Sequence, residues 1–457
     1  MGENTTKQPE NLLFPELFPL APIEGKQVEV SFTAPDLSSE GGLLLLGEFE
    51  RCTGFIGRLN DCLQDDRSPH LVRHSYNEML VQRIFQIACG YEDADDCDLL
   101  RDDSLLKLCA GKSPDSAPLS SQPTMSRLEK KATIRELNDM GVCFVEEFIA
   151  SYGEEPDCII LDCDDSNFNA YGNQQGTLFN NYYDEYCYMP LFIFEGISGK
   201  MILPLLRSGR RNKSTNIFGI LRRLIGMMRA HWKKTRFIVR GDAHFCSKEF
   251  MDWATGKDYV EFVFGLTANS VLNGRVREWV DKATDSYRKS GEEVRIFRQF
   301  TYKAGSWKHP RRVITKIEVN HHGTNVRFIV TGLKHPNSRF LYENLYCGRG
   351  TMELYIKEMK NYLSSDRCSC NRFSANQFRL FLHAAAYVLL HGLKQEIFKG
   401  TCLYNVSILT LQQRILSGAV HVKTMKTKVK IEFSDRHPYR AELSLAFMRF
   451  AIWQGAA

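Results

Sequence analysis

Several features that would place this 457-residue chain in a familiar class are missing. Its fourteen cysteines include no CxxC pair, and the single CxC (Cys368, Cys370) lacks a second pair at zinc-ligand spacing. A zinc module is therefore not expected, and the absence of a secretory signal at the start suggests free thiols in a reducing cytoplasm. The longest apolar run, Phe381–Leu393, is interrupted by His383 and His391 and is too short for a bilayer. No phosphate-binding glycine loop and no nucleophile triad pattern is present, so NTP-driven and acyl-transfer chemistry are not suggested. Internal repeats and low-complexity tracts are also missing.

Acidic side chains are absent from one long stretch. Residues 200–240 hold twelve Lys or Arg, one His and no Asp or Glu. The overall balance of +5 hides a wider split: residues 1–150 carry 14 basic and 26 acidic side chains, and the remainder 45 and 28. A basic C-terminal part predicts a polyanionic partner there. With 43% hydrophobic and 25% charged residues the chain can bury a sizeable core, and its length suits two or three domains.

The first 25 or so residues show no period and predict a flexible arm. Helical spacing dominates Ser38–Leu108, and the Ser/Pro-rich Lys112–Thr124 predicts a linker, followed by a helix capped at Thr124 or Ser126 and running to about Tyr152. Strands are expected at Cys158–Cys163, Tyr182–Phe194, Met201–Leu206, Arg236–Arg240 and Val260–Leu266, with helices at Asn216–His231 and Ser247–Thr255. This alternation predicts an α/β mixed sheet with flanking helices. Strands at Val294–Tyr302, Arg312–Val319 and Val326–Val330 read as an insertion, since helices resume at Met352–Leu363 and Asn376–Leu393.

Three features carry chemistry. Asp162 and Asp164 end a buried strand and share one face of it, where a cation or hydrogen bonds must offset their burial. Asp242 ends a second strand after Gly241. Tyr346, Arg349, Glu353 and Lys360 follow at intervals of 3, 4 and 7 and form one helical stripe beside an apolar face of Met352, Tyr355, Ile356, Met359 and Leu363. Clustered carboxylates can hold two hard divalent cations, and neighbouring cations can hold phosphates. Arg210, Arg211, Lys213 and Arg240 in the acid-free stretch, with Arg311 and Arg312 in the insertion, are candidate DNA contacts. Trp307, set among Lys303, Lys308 and Arg311, is a candidate base-stacking residue or a core residue.

Tyr346-x2-Arg349-x3-Glu353-x6-Lys360 resembles the Y-R-E-K signature of bacterial insertion-sequence DDE transposases. The surrounding motifs are similar to the branch related to piggyBac transposases: SQPTMSRLE (Ser121–Glu129), GNQQGTLFNNYYDEYCYMPLFIFEG (Gly172–Gly196), RGDAHF (Arg240–Phe245), YCGRGTMELYIKE (Tyr346–Glu358) and DRCSCNRFSANQFRL (Asp366–Leu380). The resemblance implies a ribonuclease H-like fold interrupted by the β insertion. It divides the chain into an arm (1–30), a helical DNA-binding or dimerisation region (31–152), a first catalytic part (153–270), the insertion (271–344) and a second catalytic part (345–457). It further implies a catalytic triad of Asp164, Asp242 and Glu353, with Asp162 as an additional metal ligand or a rival for the first position. Two Mg²⁺ ions, replaceable by Mn²⁺, would serve cut-and-paste transposition through hairpin ends. The implied partners are terminal inverted repeats, target DNA and a second subunit, in a nucleoid-associated cytoplasmic protein without membrane contact. A nuclease without strand transfer and a domesticated DNA-binding protein are the alternatives.

Overall fold

The computed structural model describes residues 18–34, 36–209 and 215–455. Phe18–Ile23 and Lys26–Val30 pair as an antiparallel hairpin, so the described part of the expected arm has regular structure. Helix α1 (Tyr76–Cys89) is buried over most of its circumference. The Ser/Pro-rich stretch that predicted a linker is packed down instead: Ser120 is buried and exchanges hydrogen bonds with Gln82 of α1, at 2.9 Å to its carbonyl and 3.1 Å from its amide. Where one helix to Tyr152 was expected, there are two, α2 (Gln122–Lys131) and α3 (Ile134–Ala150). The break is a capping box. Thr133 accepts from the Glu136 amide, and the Glu136 carboxylate accepts from the Thr133 amide at 2.7 Å.

The centre of the molecule is a mixed sheet of eight strands. In chain order these are β1 (Cys158–Asp165), β2 (Leu191–Glu195), β3 (Met201–Leu205), β4 (Arg236–Gly241), β5 (Val260–Leu266), β6 (Val294–Tyr302), β7 (Arg311–Asn320) and β8 (Gly323–Thr331). Across the sheet they lie in the order β6-β7-β8-β5-β4-β1-β2-β3. β4 runs parallel to both β1 and β5, while β2 is antiparallel to β1. The inserted strands do not form a sheet of their own. β8 hydrogen-bonds antiparallel to β5, so the insertion extends the main sheet.

Alternation divides β1 and β4 between two cores. Ile159, Leu161, Cys163, Phe237 and Val239 face the large core. Ile160 and Ile238 face a smaller one with Val263, Ile314, Ile329, Leu341 and Tyr342. Residues 338–362 are helical throughout but change pitch: wide at Leu341–Tyr346, tight at Cys347–Gly350, α-helical in α4 (Thr351–Lys357), then wide again at Glu358–Tyr362. Met352, Ile356, Met359 and Leu363 are buried, as the apolar stripe predicts.

The single strand expected at Tyr182–Phe194 is broken at Met189-Pro190, where proline offers no amide to a ladder. Glu185–Tyr188 instead pairs with Phe168–Asn169 and Leu178–Asn180 in a small separate sheet. Helix α5 (Phe373–Gly392) is apolar almost all round and packs on α1, α2, α3 and β3. The helical N-terminal region therefore shares one core with the C-terminal part. Strands Val420–Thr424 and Val429–Phe433 join Leu37–Ser38, tying the two ends further. Among the described residues no helix is long and apolar enough to cross a membrane.

Candidate active site

The site is built at the ends of β1 and β4. Their parallel register sets Asp162 beside Arg240 and Cys163 beside Gly241, which brings Asp164 and Asp242 to adjacent strand ends. The two acids of β1 have different partners. Asp162 accepts from Arg240 Nε at 2.5 Å and Nη2 at 2.6 Å, and both side chains are buried. Burial pushes the Asp162 carboxyl up from its ordinary range, against the pull of Arg240. Arg240 also donates to the Leu345 carbonyl at 2.6 Å and so fastens the helical segment that carries Tyr346 and Arg349. With both Asp162 oxygens bonded and Arg240 enclosed, Asp162 as a metal ligand and Arg240 as a DNA contact do not fit this arrangement.

Asp164 sits at the mouth. Its Oδ2 accepts from Arg349 Nη1 at 2.8 Å, and its side chain is 19% exposed. Desolvation raises its carboxyl to about 6. Arg349 opposes the shift, while the charges of Asp242 and Glu353 add to it. Arg349 is likewise half-buried. Burial disfavours its charge, but Asp164, Tyr346 and Asp242 outweigh that and hold its pKa above the usual value. Asp242 caps the turn Ala243–Phe245, accepting from the His244 amide at 2.8 Å and meeting His244 Nδ1 at 2.8 Å. Glu353 stands exposed in the first turn of α4.

Tyr346 reaches the same place through a glycine. A Cβ on Gly265 would lie 2.7 Å from the Tyr346 hydroxyl and 2.8 Å from the Ala243 amide, so only glycine lets this ring lie over β5 next to Asp242. Lys360, in the widened turn Glu358–Tyr362, donates to the Asn167 carbonyl at 2.7 Å, three residues beyond Asp164.

Other predicted contacts lie elsewhere. Trp307 is buried edge-on against Tyr302, ring centroids 5.5 Å apart, so it is a core residue and not a stacking platform. Arg311 is buried and donates to Asp252 at 2.6 Å. Arg312 is held by the carbonyls of Leu333 and His335 and by Gln299. These engagements leave neither Arg311 nor Arg312 as a free phosphate contact. Arg210, Arg211 and Lys213 fall outside the residues whose side chains are described. The acid-free stretch is not one surface either: Arg207 pairs with Asp165, and Arg240 with Asp162. Sequence reasoning passed over His244, although it lies within RGDAHF two residues from Asp242.

No three acidic, histidine or cysteine side chains among the described residues already form a metal-binding group. The donors nonetheless suit hard divalent cations: oxygen ligands from three segments, one of them a desolvated carboxylate whose charge is balanced only by an arginine.

The family profile described as "Transposase DDE domain group 1" matches residues 20–453. The chain belongs to this family of DDE transposases. It is thus a nuclease-type enzyme of DNA transposition. One similar solved structure, a cryo-EM piggyBac transposase synaptic complex with hairpin DNA, shares 11% identity over 82% of this chain and 80% of that chain, with a TM-score of 0.45. No curated protein matches the chain.

Proposed function

We propose that Asp164, Asp242 and Glu353 are the catalytic acids of a cut-and-paste transposase acting on the ends of a bacterial insertion sequence. The observation that carries this reading is the parallel register of β1 and β4, which sets Asp164 and Asp242 at adjacent strand ends, with Asp164 bonded to Arg349 four residues before Glu353. Asp242 and Glu353, 78 and 189 residues downstream, both raise the Asp164 carboxyl. Two acids on adjacent parallel strands, with a third on a helix that follows an inserted β region, also suit a ribonuclease H-like catalytic domain. The three carboxylates would hold two Mg²⁺ or Mn²⁺ ions. The chemistry such ions supply when bound is a lowered water pKa and charge stabilisation at the leaving oxygen.

The residues of the chain do the positioning. Arg349 balances Asp164 in the DNA-free protein and is placed to exchange that carboxylate for a DNA phosphate, a charge-assisted pairing of the same kind. Tyr346, over Gly265, fixes the wall beside Asp242. The Asp162–Arg240 pair holds strand and helix together beneath. Hairpin formation, strand transfer and a homodimeric synapse of two inverted repeats belong to the same reading, as does a nucleoid location.

Asp242→Ala and Glu353→Gln are expected to abolish Mg²⁺-dependent nicking of duplexes carrying the inverted repeats that flank the gene, while a gel shift still shows end binding. Wild-type nicking rates in either variant would remove the assignment. A precleaved end that yields no strand-transfer product would reduce the reading to a nuclease.

A further inference from the structure

Asp164, Asp242 and Glu353 offer only oxygen, but the turn that carries Asp242 sets a nitrogen beside it, which the cleavage reading leaves unused. His244 follows two residues later and meets both oxygens of that carboxylate. Its backbone amide donates to Oδ1 and its ring Nδ1 lies against Oδ2, each at 2.8 Å. Both side chains reach solvent, Asp242 at 30% exposure and His244 at 52%. The pair therefore stands where a cation from solution can reach it.

The turn is held firmly. Phe245 is buried in the large core and anchors the residues on either side of it. Its amide donates to the Asp242 carbonyl at 3.2 Å, and its carbonyl accepts from the Ser247 amide at 2.7 Å. Gly241 makes room for this fold of the chain, because a Cβ there would lie 2.6 Å from the Phe245 Cβ. His244 thus projects from a short turn tied to the core, not from a loose loop.

The spacing of the two donors suits a shared ion. Neighbouring ligands on an octahedral cation with bonds of about 2.0–2.1 Å lie about 2.9 Å apart. The Oδ2–Nδ1 distance is 2.8 Å. In the metal-free chain the ring carries its proton on Nδ1, since a carboxylate oxygen only accepts. When Oδ2 turns to a cation, the neutral ring passes that proton to Nε2 through solvent and frees the Nδ1 lone pair. The Oδ1 bond to the His244 amide is untouched and keeps the carboxylate in place. Sites made of oxygen alone suit Mg²⁺. Imidazole suits first-row transition ions, among which Mn²⁺ is the one that also favours carboxylates.

We propose that His244 Nδ1 is a nitrogen ligand to the cation held at Asp242 and biases that site toward Mn²⁺ over Mg²⁺. The inference rests on the proposed cation-binding role of the three acids but adds a residue outside them. The test uses the full chain without DNA, loaded with Mn²⁺ and read by pulsed electron paramagnetic resonance, with histidine alone carrying heavy nitrogen. Coupling of the bound Mn²⁺ to a histidine nitrogen is expected in the wild type. It should vanish in His244→Ala and also in His244→Asn, whose amide still donates to Asp242 and so keeps any orienting bond. Calorimetric titration should show His244→Ala weakening Mn²⁺ binding about tenfold or more, while Mg²⁺ binding changes by less than about threefold. Mn²⁺ bound without histidine coupling, coupling that His244→Asn retains, or equal losses for both ions overturns the proposal and leaves the acids as an oxygen-only site. Histidine coupling that survives Asp164→Asn and Glu353→Gln at undiminished affinity upholds His244 and removes the three-acid reading instead. A chain that takes up no Mn²⁺ overturns both.

Discussion

Asp162 and Asp164 project from one face of β1 two residues apart, and each meets an arginine, yet the two pairs differ in every physical respect. The inner pair is sealed, with side chains 1% and 4% exposed, and has two short contacts. The outer pair is 19% and 18% exposed and has one contact of 2.8 Å. Arg240 comes from the neighbouring strand and is fixed by the sheet, whereas Arg349 arrives on a tight helical turn 185 residues away. The inner pair is a fastening. The outer pair is a charge in waiting, with Asp164 desolvated and kept next to two further carboxylates, which together make its ionisation costly. Residues of one type in one local pattern thus differ in burial and in partners according to what the rest of the chain brings to them.

Breaking the inner pair should have the largest effect on stability. Arg240→Ala strands a buried carboxylate and is expected to cost about 3–5 kcal/mol in urea unfolding at pH 7, with the Asp162→Leu/Arg240→Leu double variant recovering much of it. A loss below about 1 kcal/mol would erase the contrast.

The outer acid should respond in the opposite direction. Its folded pKa of about 6 lies above the ordinary aspartate value of 3.8, so between those values the native state binds more protons than the unfolded chain. Wild-type stability attributable to Asp164 is therefore complete below about pH 4 and falls as pH rises through 6. Asp164→Asn removes that fall. It is expected to gain about 1–3 kcal/mol at pH 7.5 in metal-free buffer, nothing at pH 3.5, and to lose nicking altogether. Thermal unfolding at the two pH values checks it; destabilisation at pH 7.5 would mean that Asp164 is structural like Asp162.

Gly265→Ala should have the smallest effect on folding, about 1–2 kcal/mol, because the methyl meets the Tyr346 hydroxyl and the Ala243 backbone. Its effect on nicking should exceed its effect on stability. Equal treatment of both by the variant would show that the Tyr346 seat is only packing.

Much of this was legible in the chain itself. β1, β4 and β5 announce themselves as short apolar runs, and the buried face of 352–363 follows from its spacing. The Thr133–Glu136 capping box was also readable, as Thr followed three residues later by Glu, but helical periodicity on both sides concealed it. The distinction between Asp162 and Asp164 was not legible, since alternation gives both the same face and the arbiter, Arg240, belongs to another strand. The pitch changes around α4 have no local signature in the sequence. Composition misled at Lys112–Thr124, where Ser and Pro suggest a linker and Gln82 supplies the partners that hold it. Trp307 is buried in the large core against Tyr302, and no count of neighbouring lysines could show that.

The central claim is that Asp164, Asp242 and Glu353 act as one cation-binding unit. Calorimetric titration of the DNA-free chain with Mn²⁺ tests it most directly. Saturable binding is predicted in the wild type and should be lost in Asp164→Asn, Asp242→Asn and Glu353→Gln alike, each variant remaining folded by circular dichroism. Undiminished Mn²⁺ binding in any one of the three would contradict it.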